Sequence, residues 1–502
     1  MLYIFLTCVT APLIATIAWR ILGHPLRGFP GPPVAALTGL YAAYWDVVKY
    51  GRLLEHVTEL HTKYGPVVRI GPNELSFCDP KGFLDVYSSR FAKGTQFYRA
   101  FGLNDSVVGT IEFSHWKIAR SRLNKFFSRR VTISLESVVQ TTIDKFVRRL
   151  QSEGANGSPV NLFLAFRCAT LDIISAYSLD KPLGALDVPG FKYSFVVNTQ
   201  KALVAVKVFT YVPLLYLFHS IPSSWAFAPN EDLSAEPVSV TGFMGRMKGM
   251  LHMHAHVDRL VDNLLANPAL ARSQHRETIF SHLLEIPNMT RSILRQEATA
   301  LLIAGGDTTA ITCNIGVFYV LNNPAILHKL KIELCTAWPE LNTPIGYPTL
   351  EKLSYLTAVI KESLRLSHGA VSLLPRVVGP GPAVIGGSSV PEGTVVRSSS
   401  TFVHYNSEIF PEPDVFNPER WLASDAHQTL DPWLAAFSKG PRICQGINLA
   451  WMELYLLFGH VFRKLDLQIH DTTIDDFKEF DDFLIAVYRG KPLQVTVTPC
   501  TK

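Results

Sequence analysis

Apolar positions along the chain follow several distinct rhythms. Residues 2–19 carry no charge and are mostly apolar, a stretch just long enough to cross a bilayer as a helix. Residues 67–77 alternate loosely around Gly71-Pro72-Asn73 and read as two strands joined by a turn. From about 112 to 330 the spacing is mostly helical, with interruptions at 154–159 and 222–237. The longest helix spans 291–322 and is stopped by Asn323-Pro324; a shorter one is predicted over 349–366. Residues 367–401 turn β-like, rich in Val, Gly, Pro and Ser. Residues 402–446 read as loop, punctuated by Pro411, Pro413, Pro418, Pro432 and Pro441. A last helix is predicted over 447–467, followed by a short β-rich tail. The pattern describes a mainly α fold with small β-sheets and no internal repeat.

Composition narrows the class. At 48% hydrophobic and 18% charged, 502 residues can bury a large core around an apolar ligand. The net charge of +5 is too mild for a nucleic-acid protein, and no basic cluster sits at either end. The seven cysteines are scattered, which argues against a disulfide framework and for a reducing compartment. No basic residue precedes the apolar stretch, whereas Arg20 and Arg27 follow it. That asymmetry points the N-terminus to the lumen and the rest to the cytosol, and favours an uncleaved anchor over a cleavable signal. Phe29-Pro30-Gly31-Pro32-Pro33 cannot continue a helix. The organisation expected is therefore a transmembrane anchor over 1–22, a proline-rich hinge over 23–35 and one domain over 36–502. Sequons at Asn104, Asn156 and Asn288 should stay unglycosylated on a cytosolic domain.

The chemistry concentrates around Cys444, in Phe437-Ser438-Lys439-Gly440-Pro441-Arg442-Ile443-Cys444-Gln445-Gly446. A lone cysteine is by default a buried structural thiol. Here it stands just ahead of a helix start, whose free N–H groups and positive end stabilise a thiolate. Flanking glycines let backbone approach a flat ligand, and Arg442 can fork onto a carboxylate. Such a loop suits a thiolate ligand to haem iron, with the arginine on a propionate.

Other segments agree. The long helix carries Ala304-Gly305-Gly306-Asp307-Thr308-Thr309, in which two interior glycines and a charge among apolar residues each require a reason. Glu362 and Arg365 share a helix face at i, i+3, and Arg420 stands downstream in Asn417-Pro418-Glu419-Arg420-Trp421. The stretch from Trp116 is basic, with Lys117, Arg120, Arg122, Lys125, Arg129 and Arg130. His252 and His256 lie one turn apart but lack a third ligand nearby, so they read as a polar helix face rather than a metal site. Residues 203–218 and 221–227 are apolar and aromatic, but too interrupted for a second span. The chain contains no GxGxxG, P-loop, GxSxG or HExxH motif.

The Phe437, Gly440, Arg442, Cys444, Gly446 spacing resembles the haem-binding signature of cytochromes P450. The apolar start, hinge, central helix, ExxR and PERW elements follow in that family's order. Gly39-Leu40-Tyr41, Lys63-Tyr64-Gly65-Pro66 and Gly446-Ile447-Asn448-Leu449-Ala450 are similar to fungal microsomal members, the trichodiene oxygenase-like group of secondary metabolism in particular. Ser438 departs from the family, where glycine commonly follows the Phe.

The resemblance implies the P450 fold and haem b held by Cys444, with Phe437 beside it and Trp116, Arg120, Arg376 and Arg442 on the propionates. It implies that Gly305 and Gly306 open a groove over the haem, that Thr308 serves dioxygen, and that Asp307 relays protons. Glu362, Arg365 and Arg420 would lock the cysteine loop. Electrons would come from NADPH through a separate cytochrome P450 reductase, with cytochrome b5 as a second candidate donor, docked on the basic stretch near Lys439. The setting implied is the endoplasmic reticulum membrane, single-pass, with helices over the substrate channel dipping into it. The implied activity is hydroxylation or epoxidation of an apolar small molecule, a terpenoid or other secondary metabolite. Its pocket would be lined by Phe101, Leu103, Val107, Val108, Ala300, Ile303, 371–374 and 483–485. A P450-fold isomerase or dehydratase would leave Asp307-Thr308 idle, and a haem-thiolate sensor would turn over nothing.

Overall fold

The computed structural model describes residues 2–225, 227, 242–272 and 276–500. Its axis is the helix Arg291–Leu321. Thr290 opens it, accepting from Ile293 N at 3.2 Å, and Asn323 caps the next helix, Pro324–Ala337. The helix Leu162–Leu179 packs along this axis, and both are mostly buried. These two helices are apolar and long enough to cross a membrane, yet they form the core. Ile447–Lys464 closes the core from the other side.

Strands gather where the sequence turns β-like. Val67–Gly71 and Glu74–Phe77 form an antiparallel hairpin, and Glu74–Phe77 runs parallel to Val395–Arg397. Arg376–Val377 and Ala92–Lys93 complete that five-stranded sheet. Val160–Asn161, Gln494–Pro499 and Leu465–His470 make a second sheet. Phe480–Phe483 pairs with Ile485–Tyr488 in a hairpin near the C-terminus.

Two boundaries differ from the spacing-based expectation. The last helix stops at Lys464, because Leu465–His470 is drawn into pairing with Gln494–Pro499. The 349–366 helix splits into Tyr347–Leu350 and Ser354–Ser367. Both Glu333 carboxylate oxygens accept from Tyr355 N and Leu356 N at 2.8 Å, a cap supplied by another helix.

At the N-terminus Leu2–Ala18 is helical and continues as a π turn, Trp19–Gly23. Leu13, Ile14 and Ile17 are exposed on it. Over the expected hinge, Pro33 opens a short helix, Pro33–Leu37. The helix Ser194–Tyr211 and the 3-10 segment Pro213–Ser220 form a roof. The interruption expected at 222–237 lies largely outside the described residues.

Candidate active site

The cysteine loop is pinned by its own backbone. Cys444 N donates to Phe437 O at 2.9 Å, Ile443 N to Gly440 O at 3.1 Å and Ser438 N to Ala435 O at 2.8 Å. Gly440 has φ +71°, and a Cβ there would stand 2.4 Å from Tyr87 O, so only glycine fits. Ser438 also adopts a left-handed φ of +62°, a conformation that favours the glycine the family commonly carries there. The Cys444 thiol is exposed to a cavity that it helps to line. Burial pushes its pKa up, while the Gly446 N–H and the Arg120 guanidinium pull it down.

Lys93, Arg120, Arg376 and Arg442 line that same cavity with Trp116 and Tyr98. Neutral oxygens hold each cation. Lys93 donates to Val108 O at 2.5 Å, Arg120 to Ile443 O at 2.8 Å, Arg376 to the Tyr98 hydroxyl at 2.9 Å and Arg442 to Ile111 O at 2.7 Å. Arg442 Nε has no hydrogen-bond partner among the described residues. The Trp116 ring lies 5.2 Å from the Arg120 guanidinium and 5.0 Å from that of Arg442. Burial, reinforced by Arg376, lowers Arg442 to about 10; burial and the neighbouring arginines hold Lys93 well below its usual value. So much enclosed positive charge calls for an anionic ligand, and the two propionates of haem fit it. Lys93 was not singled out by sequence, because a single lysine in a two-residue strand carries no motif.

On the central helix Thr308 Oγ1 donates to Ala304 O at 2.8 Å, and both residues line the cavity. Asp307 is 5% exposed and accepts from Arg167 Nε at 2.7 Å. Asp307 Oδ2 and Arg167 Nη1 have no hydrogen-bond partner among the described residues, and both residues border a small void shared with Thr199 and Gly306. Arg167 is a second residue that sequence reasoning missed. Gly305, which lines the cavity, also does work that the resemblance does not imply. A Cβ on Gly305 would stand 2.7 Å from Ile174 Cγ1, so Gly305 lets the two core helices close on each other, and the helix runs unbroken through it.

Glu362 and Arg365 are fully buried. Arg365 donates to Glu362 at 3.0 and 2.8 Å, Arg420 Nε at 3.2 Å, Trp421 Nε1 at 2.8 Å and Asn417 N at 2.9 Å. Arg365 Nη1 also reaches His404 O at 2.9 Å, and His404 Nε2 accepts from Ala435 N at 2.8 Å. The network thus runs directly into the cysteine loop through His404, which no motif marks.

The cavity measures about 400 Å³. Phe101, Leu103, Val107, Val108, Ala300, Ile303, Ser372, Leu374, Leu484 and Ile485 line it as expected, joined by Leu203 and Ala370. Val371, Leu373 and Phe483 do not; they are buried in the core. In this segment Ala370, Ser372 and Leu374 turn inward, while Val371 and Leu373 pack into the core.

Two further expectations change. His252 is buried and His256 half-buried, so the pair is not a solvent-facing polar stripe, and burial lowers His252 to about 4. No metal-binding cluster occurs among the described residues. The basic stretch is not one free face either: Lys125 pairs with Glu277 at 2.7 Å, Arg129 with Glu351 at 2.8 Å, and Arg122 lies 3.7 Å from buried Glu297.

A thiol-bearing loop beneath a long core helix, ringed by enclosed cations, defines the class of haem-thiolate proteins. The chain belongs to the cytochrome P450 family, whose model matches residues 30–496. It is 33% identical over 492 residues to cytochrome P450 monooxygenase macH of Penicillium terrestre, covering 95% of this chain and 94% of that protein. Identity is 34% over 485 residues to tryptophan 6-hydroxylase fscE of Fusarium equiseti (95% and 93% covered). It is 33% over 499 residues to conidiogenone synthase PchP450 of Penicillium rubens (96% of each). The protein is an oxidoreductase of the cytochrome P450 monooxygenase class, a class that uses haem-thiolate iron and a redox partner.

Proposed function

We propose that this protein hydroxylates or epoxidises an apolar small molecule, a terpenoid or comparable secondary metabolite, with haem b on the Cys444 thiolate. Electrons come from NADPH through a separate reductase, with cytochrome b5 as an auxiliary donor. Residues 1–22 anchor the chain in the endoplasmic reticulum membrane, 23–35 form the hinge, and 36–502 form a cytosolic haem domain.

Bound there, haem supplies the activation of dioxygen and the transfer of one oxygen atom to a C–H bond or alkene. The chain's own residues do the rest. Arg120, Arg376, Arg442, Lys93 and the Trp116 indole would hold the propionates, and Phe437 would help to hold the ring. The Thr308 hydroxyl, now bonded to Ala304 O, turns to hold a proton donor in the cavity. Asp307 relays protons by taking water on its free Oδ2 while Arg167 holds Oδ1. Substrate carbon excludes water from this region, which keeps proton delivery directed.

The observation that carries the substrate class is the wall formed by Phe101, Leu103, Val107, Val108, Leu203, Ala300, Ile303, Leu374, Leu484 and Ile485. Apart from Asp307, Glu453 and the cations assigned to the propionates, the lining carries no charged side chain, so a zwitterion such as free tryptophan would have to take over those groups or bury its ammonium and carboxylate unpaired. The test is the Soret shift of purified protein against a panel of terpenes and tryptophan, then NADPH-dependent oxygen incorporation with reductase. Terpenoid shifts without a tryptophan shift are expected; the reverse overturns the substrate class. Cys444→Ala is expected to abolish the thiolate-type ferrous–CO band.

A further inference from the structure

Lys207 lies buried on the roof helix Ser194–Tyr211 with its ammonium between two carboxylates, 3.2 Å from Asp46 Oδ1 and 3.0 Å from Asp482 Oδ2. The three come from distant parts of the chain. Asp46 belongs to the turn Tyr44–Val48 and also accepts from the Tyr211 hydroxyl at 2.7 Å. Asp482 belongs to the C-terminal hairpin and accepts from the Ser372 hydroxyl and, at 3.0 Å, from Leu484 N. None of the three is more than 5% exposed. The oxidation described above uses none of them.

Their neighbours show what the cluster separates. On the inner side, Ser372, Leu484 and Leu203 all line the cavity, and Leu203 stands one helical turn before Lys207. On the outer side, Tyr44 and Val48 flank Asp46 and are 44% and 69% exposed, with Tyr50 39% exposed beside them. A layer of side chains tied by charge therefore has cavity-lining residues on one side and exposed apolar ones on the other. Apolar packing would weld that layer. A lysine shared by two carboxylates holds it through a few directional contacts that part together, and a buried arrangement of this kind specifies geometry more than it adds stability.

We propose that Lys207, Asp46 and Asp482 form an ionic latch on a passage through which apolar molecules reach the cavity. The latch rests on the reading of that cavity as the haem and substrate site. Closed, it fixes the hairpin so that Leu484 and Ile485 bear on the substrate. Open, the roof helix and the hairpin separate and admit molecules too large for the closed state. The three residues are positioning residues, setting which molecules pass and how fast.

The test uses the haem-loaded full chain and two ligands of the iron, imidazole and the bulky triaryl imidazole clotrimazole. Both are followed by stopped-flow Soret absorbance in the wild type, Lys207→Met, Asp46→Asn and Lys207→Arg. Clotrimazole association is expected to quicken about tenfold in Lys207→Met and Asp46→Asn, with imidazole unchanged and Lys207→Arg close to wild type. Unchanged clotrimazole rates, or equal acceleration of both azoles, overturn the latch. Asp46→Asn keeps an oxygen for Tyr211 and strands no charge, so it decides the matter where Lys207→Met does not fold. A wild type with no thiolate-type CO band and no azole response overturns the haem reading instead.

Discussion

Glu362 accepts from Arg365, Arg420, Trp421 and Asn417 in a site closed to water. Glu362→Gln would turn an amide donor toward these donors and leave Arg365 without its counter-charge, a cost of about 3–5 kcal/mol. The expected outcome is a lower thermal midpoint and a sharp loss of haem-loaded protein, measured by the ferrous–CO band per mole of chain. At this scale sequence reading went as far as spacing allowed. Glu362 and Arg365 declare themselves by i, i+3 spacing on one helix. Arg167 does not, because its partner Asp307 lies 140 positions away, and a lone arginine in an apolar helix has no local signature. Lys93 stayed hidden for the same reason, as its meaning comes from three arginines that other elements bring beside it.

Glycine in a helix is legible as an anomaly, but its cause belongs to the pair of helices. A Gly305→Ala Cβ would meet Ile174 at 2.7 Å, so the helix-propensity gain of about 1 kcal/mol is offset by overpacking of about 1–3 kcal/mol. Gly305→Ala is expected to destabilise, and Ile174→Ala in the same chain to recover part of the loss, as read from a double-mutant cycle in urea. Opposite the axis, Ile447–Lys464 buries Glu453 against the central helix near Thr309 and Cys313. Burial pushes this carboxyl up to about 8, and the Thr309 hydroxyl only partly offsets that. The folded chain therefore keeps a proton that the unfolded chain releases near its ordinary carboxyl value. Stability from this group is full below about pH 4.5, falls as pH rises toward 8, and is level above that. Glu453→Gln should remove the slope, so its unfolding midpoint gains on wild type steadily between about pH 5 and 8.

Over the whole molecule, apolar exposure is uneven. Leu13, Ile14, Ile17, Trp19, Ile21 and Leu22 stand out on the N-terminal helix. A second group includes Val34, Leu40, Tyr44 and Val48, and a third Leu214, Leu217, Trp225, Phe243 and Met244. The roof helix packs against both the 40–48 segment and the 213–220 segment, so the last two groups flank one element. Sequence patterning pointed to the first stretch from its length and charge asymmetry. It could not show that the others share a neighbourhood, since each is too short to cross a membrane alone. Water-exposed leucine and tryptophan in such numbers suit contact with an apolar surface, which the proposed anchor would supply as lipid. On the anchoring proposed above, a chain lacking residues 2–22 should still sediment partly with phosphatidylcholine vesicles through the exposed apolar groups of the roof. Adding Leu214→Ser, Leu217→Ser and Trp225→Ser to that shortened chain should release it to the supernatant with the ferrous–CO band intact, since these side chains are 67–81% exposed and do not line the cavity. A shortened chain that leaves the vesicles without those substitutions would place all the membrane affinity in the N-terminal helix.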